Sequence, residues 1–533
     1  MSFVEEIAER LTRHQIQSKT SLHQAKLKLC KKYGLKKVPS DADLLAQLER
    51  SIGKAKTKQF THILQKKATR TASGVAVVAV MTSPDECPHG RCITCPGGPT
   101  GGTPQSYTGK EPAALRGHRY SFNPCAQTKA RLKQLGSAGH PTDKVDLILM
   151  GGTITARPLQ YQEWFVKRCF DAMNGYTSRT LEDARIANER ARTRCVGLTF
   201  ETRPDWARLQ QIEQMLWFGV TRVEIGVQST RDDLLYGIKR GHTVTDTVLA
   251  TRLLKDAGLK VGYHLMPGLP GSSRESDLAS FSEVFSNPDF KPDLIKIYPT
   301  LVIEQTELWN LWKEGEYKAL GTREAAKLIA DIKKKVPPWV RIQRIDRDIP
   351  APLIVDGVKK SNLREIANQM LADEGERCRC IRCREVGHRW LKQGIIPDPS
   401  RIELVRINYE ASRGQDIFLS YEDREEDVLI GYCRLRIPSR AVWKEFEGSA
   451  IIRELKVSGA EVPIGAKPVK DKPVKEWQHR GWGHALVREA EEIARTEFRK
   501  KRLLVLSGVG AKAYFRKLGF RQMRYWMGKK LKD

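Results

Sequence analysis

Residues 86–98 read E-C-P-H-G-R-C-I-T-C-P-G-G and bring three cysteines, Cys87, Cys92 and Cys95, into one short segment. The segment follows the apolar, β-branched run 75–80, which is typical of a buried strand. Each thiolate can bind one iron of a four-iron cluster, which leaves the fourth iron without a protein ligand. Together with His89, the same thiolates could instead form a tetrahedral zinc site. The segment therefore predicts a metal centre at the end of a first strand.

The spacing of the three cysteines favours the iron–sulfur alternative. An iron with a free coordination position can chelate the amino and carboxylate groups of S-adenosylmethionine, which makes radical chemistry available. The pattern C-x4-C-x2-C resembles that of the radical S-adenosylmethionine enzymes, in which C-x3-C-x2-C is commoner. The longer first spacing indicates a particular subfamily of that class.

The charge of the chain predicts a polyanionic partner. Among 533 residues there are 92 Lys and Arg against 63 Asp and Glu, which gives a formal net charge of +29. Neutralising phosphates releases bound counterions, so such an excess favours nucleic acid. Charge alone leaves RNA, DNA, a membrane surface and a merely solubilising surface open.

The eleven cysteines do not form a disulfide framework, because six of them fall into two tight clusters. This usage is typical of metal binding in a reducing compartment. The N-terminus lacks a basic start followed by an apolar segment, and no run approaches a membrane span. We therefore expect a cytoplasmic protein with no membrane contact.

Residues 1–73 are predicted to form a basic helical arm. Apolar residues recur near the helical period, and residues 1–70 contain 16 Lys and Arg against 6 acids. Such a surface can hold a phosphate backbone without reading its sequence. The alternative is a solvated helical face.

Residues 74–345 alternate between strands and helices, which predicts an α/β domain built as a partial (βα)6 barrel. The predicted strands are 75–80, 145–150, 195–200, 222–227, 260–266 and 293–298. Because the chemistry of such a barrel lies at the C-terminal strand ends, the residues there are candidates for cofactor binding: Gly151, Gly152, Thr153, Glu201 and Gln228. Tyr298, after the sixth strand, is a candidate catalytic residue.

Residues 346–400 form a connector with the second cysteine cluster, Cys378, Cys380 and Cys383, followed by His388. Soft ligands at this spacing favour a structural zinc ion, with His388 as a candidate fourth ligand. A second iron cluster or three free thiols are the alternatives.

Residues 401–533 read as several strands, a long helix and a final strand. Q-H-R-G-W-G at 478–483 lies between a strand and a helix and resembles the GNAT acetyl-coenzyme A motif. In that motif, backbone N–H groups at a helix N-terminus hold the pyrophosphate, and glycine lets the ligand approach. The resemblance implies a GNAT α/β acetyltransferase domain.

Taken together, the motifs resemble the catalytic subunit of Elongator over nearly all of the chain after residue 70. They are the cysteine segment, Q-S-Y-T-G at 105–109, M-G-G-T at 150–153, E-T-R-P-D at 201–205, R-V-E-I-G-V-Q-S at 222–229, R-G-H-T-V at 240–244, K-I-Y-P-T-L-V-I at 296–303, R-D-I-P at 347–350 and R-E-V-G at 384–387. The family's coenzyme A contacts carry over to Lys144, Glu454, Leu455, Lys456, Val457, Gln478, Gly481, Trp482, Gly483, His484, Ala485, Tyr514, Phe515 and Arg516. Lys144 and Tyr514 join Tyr298 as catalytic candidates.

The resemblance implies a tRNA-modifying enzyme that uses a [4Fe-4S] cluster, S-adenosylmethionine and acetyl-coenzyme A. A carbon radical made on the acetyl methyl would add to C5 of the wobble uridine in the anticodon stem-loop, and thioester hydrolysis would leave a carboxymethyl group. The base would have to be splayed out of the loop to react. Two alternatives stay open: a protein lysine acetyltransferase with the radical domain as scaffold, and a nucleic-acid-binding module with inert domains. Formation of a homodimer is also left open.

Overall fold

The computed structural model describes residues 1–465 and 476–531, in which three units pack against one another. An N-terminal helical bundle and a C-terminal mixed sheet both pack against a parallel half-barrel. None of the described helices is long and apolar enough to cross a bilayer.

The predicted helical character of residues 1–73 is confirmed. The helices are α1 (Phe3–Thr12), α2 (Lys19–Lys32), α3 (Asp41–Ile52), α4 (Lys54–Lys58) and α5 (Thr61–Leu64). Ser2 and Glu5 form a capping box that starts α1. Ile7, Leu11 and Leu44 are fully buried in the bundle's own core. Most of its lysines, among them Lys31, Lys36 and Lys37, are exposed to solvent, whereas Lys26 is buried and pairs with Asp41 at 2.8 Å.

The half-barrel contains all six predicted strands and a seventh that the sequence did not reveal. Its strands are β1 (Ala76–Met81), β2 (Lys144–Met150), β3 (Arg194–Thr202), β4 (Arg222–Gln228), β5 (Lys260–Leu265), β6 (Leu294–Ile297) and β8 (Arg341–Ile345). They pair in parallel in this order. The short strands β7 (Val302–Ile303) and β9 (Ile354–Asp356) pair separately.

Helices surround the convex face of this sheet. They are α6 (Pro112–Arg119), α7 (Pro124–Ser137), α8 (Leu159–Asn174), α9 (Leu181–Asn188), α10 (Leu209–Phe218), α11 (Asp232–Gly237), α12 (Val244–Asp256), α13 (Arg274–Ser286), α14 (Glu307–Lys313), α15 (Thr322–Lys335) and α16 (Leu363–Asp373). Helix α16 shares the barrel's hydrophobic core through Leu363, Ala367 and Leu371. The first part of the predicted connector is thus built onto the barrel. Two short helices follow, α17 (Ile381–Arg384) and α18 (Val386–Gln393).

The C-terminal unit is a seven-stranded mixed sheet. Its elements are β10 (Ile402–Ala411), β11 (Gly414–Asp423), β12 (Val428–Ile437), β13 (Ser449–Val457), α19 (Trp482–Thr496), β14 (Arg502–Val505), α20 (Lys512–Lys517), β15 (Arg521–Met523) and β16 (Trp526–Lys530). The sheet order is β10-β11-β12-β13-β14-β16-β15, and β13 and β14 are parallel. Their pairing ends at Ile452 and Val505, after which β13 continues paired only with β12. A gap therefore opens between these two strands.

Buried ion pairs join the half-barrel to the C-terminal sheet. Arg453 on β13 binds Asp293, which precedes β6, at 2.6 and 2.7 Å. Lys255 on α12 donates to Asp416 on β11 at 2.7 Å, and all four side chains are at most 1% exposed. Because their partners come from both units, these charges fix the orientation of one unit relative to the other.

Candidate functional site

The three cysteines of the loop after β1 lie in a cavity at the C-terminal ends of the barrel strands, called here the cofactor cavity. Its lining includes Cys87, Cys92, Cys95, Gly152, Thr153, Glu201, Gln228 and Tyr298. All the residues predicted at the strand ends therefore line this cavity except Gly151. Gly151 packs against Thr82. A Cβ at Gly151 would come within 2.1 Å of the Thr82 hydroxyl, and its φ of +128° also requires glycine.

Polar groups surround the three sulfurs. Gln105 donates to the Cys95 sulfur at 3.2 Å, and the Ser106 hydroxyl lies 3.3 Å from it. Arg240 lies 3.7 Å from the Cys92 sulfur, and the Thr153 hydroxyl lies 3.7 Å from that of Cys87. Hydrogen-bond donors of this kind suit the sulfurs of an anionic iron cluster.

The sulfur separations distinguish the two metal alternatives. Around one zinc ion, with Zn–S distances of about 2.3 Å, tetrahedral thiolates lie roughly 3.8 Å apart. Within residues 1–465 and 476–531, Cys378, Cys380 and Cys383 have all their sulfurs within 4.8 Å of one another, whereas Cys87, Cys92 and Cys95 do not form such a group. The sulfurs of the second cluster are therefore close enough together for one metal ion to contact all three, whereas those of the first cluster are spread more widely.

His388, the candidate fourth ligand of the second cluster, lies outside that group. Its ring is buried and its Nε2 lies 3.7 Å from Glu385. Instead, the buried Lys333 amine lies 3.7 Å from the Cys383 sulfur. As a cation, Lys333 would partly compensate the charge of thiolates bound to a metal ion.

Behind the cofactor cavity, charged side chains fill the barrel interior. Lys296 donates to Glu201 at 2.7 Å and also contacts Glu224. Glu224 lies 3.1 Å from His264, and burial opposes its ionisation. Lys296, His264 and Arg222 outweigh the burial and hold the pKa of Glu224 well below its usual range. Sequence reasoning did not assign Glu224 or His264, although the alternation of charged and apolar residues in R-V-E-I-G-V indicated a polar inner face.

Lys144, at the opposite end of the barrel strands, reaches across to the C-terminal unit. Its amine donates to Gln478 Oε1 and to the Val462 carbonyl, both at 2.7 Å. Gln478 in turn donates to the Val457 carbonyl at 3.0 Å. Burial lowers the pKa of Lys144. The structure thus brings together two residues, Lys144 and Gln478, that lie 334 positions apart.

The first turn of α19 lies next to this contact. Gly481 precedes the helix with φ +93°, and a Cβ at Gly483 would come within 2.9 Å of the Tyr514 hydroxyl. Burial raises the pKa of Tyr514 to about 12, so its hydroxyl is protonated at neutral pH. His484 and Ala485 follow in the same turn, and Trp482 packs against Tyr421.

The side chains of other predicted coenzyme A contacts are held by neighbouring residues. Phe515 is buried in the hydrophobic core of the C-terminal sheet beside Phe520. Arg516 pairs with Glu189 at 2.6 Å. On β13, Glu454 pairs with Arg434 at 2.9 Å and Lys456 lies 3.7 Å from Glu385. Leu455 packs against the core of that sheet.

Three family descriptions match the chain. Residues 1–72 match the ELP3 N-terminal domain, residues 85–281 the Radical SAM superfamily and residues 292–373 the Radical_SAM C-terminal domain. The Radical SAM match contains the three-cysteine loop and strands β2 to β5, and the Radical_SAM C-terminal match contains β6 and β8.

Relatives align over most of the chain. A tRNA uridine(34) acetyltransferase from Methanocaldococcus infernus is 54% identical over 88% of this chain and 88% of its own. Elongator complex protein 3 from Homo sapiens is 42% identical over 99% of this chain and 96% of its own. The solved structure of archaeal Methanocaldococcus infernus Elp3 with an N-terminal deletion has a TM-score of 0.77 and 50% identity, covering 86% of this chain and all of that one.

Proposed function

The chain belongs to the radical SAM family of tRNA uridine(34) acetyltransferases and Elongator complex protein 3, and from this premise we propose that it builds a carboxymethyl group on C5 of the wobble uridine of tRNA. The two-carbon unit comes from acetyl-coenzyme A. S-adenosylmethionine and a [4Fe-4S] cluster are the cofactors.

One observation carries this proposal: the same half-barrel has a three-thiol cavity at one end and the Lys144–Gln478 contact at the other. Buried ion pairs between the two units hold the second unit on the barrel. A chain that only acetylated an amine would have no use for the three-thiol cavity.

At the cofactor cavity, Cys87, Cys92 and Cys95 would hold the cluster, which when bound with S-adenosylmethionine supplies a hydrogen-abstracting radical. Gly152 and Thr153 bring backbone close to the same space. Glu201 is oriented by Lys296 at 2.7 Å and by the Tyr107 hydroxyl at 3.3 Å, so its carboxylate can bind a polar cofactor group in one position. Tyr298 lines the same cavity.

The C-terminal unit would bind the thioester as a GNAT domain does. The gap between β13 and β14 leaves backbone groups of residues 453–457 unpaired with β14, so they can bond an extended pantetheine arm. The first N–H groups of α19 are available to the pyrophosphate. Lys144 and Tyr514 lie near the thioester end of this path in the proposal.

Zinc at Cys378, Cys380 and Cys383 would have a structural role in the same proposal. Ile381 donates its N–H to the carbonyl of Val340, next to β8, at 3.0 Å. An ion there ties the connector to the end of the barrel sheet.

The tRNA would contact the outward-facing lysines of the N-terminal bundle, where phosphate contacts position the anticodon stem-loop. The wobble base would leave the loop and enter the molecule.

A nucleoside analysis tests the proposal. Cluster-reconstituted protein is incubated with tRNA, acetyl-coenzyme A and S-adenosylmethionine, and the nucleosides are measured by mass spectrometry. We expect carboxymethyluridine with the parent protein and with Cys30→Ser, whose thiol lies in the helical bundle. Cys92→Ser should abolish the product and keep tRNA binding. Product formation by Cys92→Ser would overturn the proposed role of the cluster.

A further inference from the structure

A second cavity lies at the N-terminal ends of the barrel strands, facing the C-terminal sheet, and is called here the lower cavity. Its lining is Thr69, Arg70, Ser73, Val75, Val77, Arg222, Asp293, Leu294, Arg341, Gln343, Arg382, Tyr432, Arg434, Glu454 and Lys456. Glu454 and Lys456 lie on the part of β13 that has left β14. The lower cavity therefore begins where the gap between these two strands ends.

The lower cavity and the cofactor cavity occupy the same barrel interior. On β4, Arg222 lines the lower cavity, Gly226 lines the cofactor cavity, and Glu224 between them is fully buried. On β8, Gln343 lines the lower cavity and its neighbour Arg344 lines the cofactor cavity. Residues two apart in a strand are separated by about 7 Å. One layer of side chains thus divides the two spaces.

That layer consists of charged groups. Glu224 contacts Lys296, lies 3.1 Å from His264 and forms an ion pair with Arg222, whose Nε is 3.2 Å from Glu224 Oε1. Gly262, on the neighbouring strand β5, has no side chain at this level, and a Cβ there would lie 3.0 Å from Glu224 Cγ. At this level the two cavities are therefore separated by side chains and not by backbone.

The lower cavity offers unused hydrogen-bonding groups. Arg434 is 1% exposed, and its Nη1 lies 3.6 Å from Asp293 Oδ1 as an ion pair but has no hydrogen-bond partner among the described residues. Gln343 Oε1 is likewise buried without one in the part of the chain that the structure describes. Buried polar groups normally have partners, so these indicate a polar ligand.

We propose that the lower cavity receives the short acyl end of a coenzyme A thioester and that the layer centred on Glu224 is an internal gate between this acyl group and the cofactor cavity. This inference rests on the proposed function. The acyl carbonyl oxygen accepts from Arg434 Nη1, which is a cationic donor, and the methyl group lies toward β1, where Val77 is 39% exposed. The two reacting groups then meet inside the barrel, away from bulk water.

A thioester with an electrophilic methyl carbon tests the position of the acyl group. Cluster-loaded Val77→Cys is treated with S-bromoacetyl-coenzyme A, and the alkylated peptides are identified by mass spectrometry. We expect labelling at position 77 about a hundredfold faster than with bromoacetamide at the same micromolar concentration, because a tethered group has an effective concentration on the order of millimolar. Excess coenzyme A should suppress labelling by the thioester and leave that by bromoacetamide unchanged. Equal rates, or no competition, would overturn the acyl site.

A second position tests the gate. Ala113 lines the cofactor cavity, on the far side of the layer. In Ala113→Cys alone we expect little labelling by the thioester reagent, and faster labelling once Glu224→Gln is added. Because Glu224→Gln removes one negative partner of the buried cations Lys296 and Arg222, the variant Glu224→Gln/Lys296→Met, which removes both charges of one pair, is tested in parallel. Equal labelling at position 113 with and without these changes would overturn the gate.

Binding measurements separate this inference from the proposed function. If the parent protein binds no coenzyme A by calorimetry, the proposed function fails and the inference fails with it. If the protein binds coenzyme A and forms carboxymethyluridine while position 77 is not labelled, the inference alone is overturned.

Discussion

Glu461 is a buried carboxyl group beside the Lys144 contact. Its Oε1 accepts from the Lys144 backbone N–H at 3.2 Å, and its Oε2 has no partner among the described residues. Burial raises its pKa from 4.5 to about 8, against the effect of the Lys144 amine. At neutral pH the group is therefore mostly protonated in the folded protein.

This pKa predicts a loss of stability with rising pH. Between pH 4.5 and about 8 the folded state holds a proton that the unfolded state has released, so the free energy of unfolding falls as pH rises. The total effect is on the order of a few kcal/mol, since one pKa unit corresponds to about 1.4 kcal/mol. Glu461→Gln should flatten the pH dependence of the urea unfolding midpoint over this range. The exposed Glu447→Gln serves as control, and an unchanged slope in Glu461→Gln would contradict the assignment.

Single residues also show what sequence could reveal of the site. Cys87, Cys92, Glu201 and Gln228 were predictable because each belongs to a motif at a strand end, and the structure brings them to one cavity. Glu224 was not predictable, because its role depends on its contact with Lys296, which lies 72 positions later in the chain. Spacing along one strand cannot show which charge compensates another across the sheet.

At the level of elements, the first turn of α19 makes a testable contact. In Gly483→Ala the added carbon lies 2.9 Å from the Tyr514 hydroxyl. A small displacement of the Tyr514 ring relieves this contact, because the hydroxyl is the far end of the side chain. We expect near-normal stability and coenzyme A binding weakened about tenfold, or about 1.4 kcal/mol, by calorimetry.

A double variant is the control for this contact. Tyr514→Phe removes the atom that collides, so Gly483→Ala/Tyr514→Phe should regain most of the binding. Gly481→Ala should not be rescued in this way, since its cost of roughly 1–2 kcal/mol comes from φ +93° and not from Tyr514. Rescue of both glycine variants by Tyr514→Phe would refute the explanation.

Elements differ in how well their sequences predict them. Strand β1 and helix α12 were readable, the first from β-branched residues and the second from the Thr243–Asp246 capping box. Strand β8 could not be predicted from its sequence, because R-I-Q-R-I is short and contains two arginines. It is a strand because β6 offers it a parallel edge, which only the fold supplies.

For the whole molecule, the ion pairs between the two large units are the main electrostatic contact. Arg453→Met would remove one positive partner from each of Asp293 and Asp416, whose side chains are at most 1% exposed. Removing one member of a buried pair costs about 3–5 kcal/mol, so the free energy of unfolding should fall by that amount.

The exposed pair Arg406–Glu497 provides the comparison. Its side chains are 31% and 44% exposed, so Arg406→Met should cost less than about 1 kcal/mol. Both variants are measured by urea unfolding. Equal losses would mean that the buried network does not hold the two units together.

The last prediction concerns the exposed lysines of the N-terminal bundle, which are proposed to contact the phosphates of the tRNA. Lys36 and Lys37 are exposed, and each phosphate contact contributes about 0.7–0.9 to the slope of log affinity against log salt. Lys36→Gln/Lys37→Gln should therefore lower that slope by up to about 2 and weaken binding of different tRNAs equally. Arg499→Gln/Lys501→Gln removes the same charge from the C-terminal unit and should leave the slope nearly unchanged. If the two variants change the slope alike, the tRNA responds to net charge alone, and the bundle is not its docking surface.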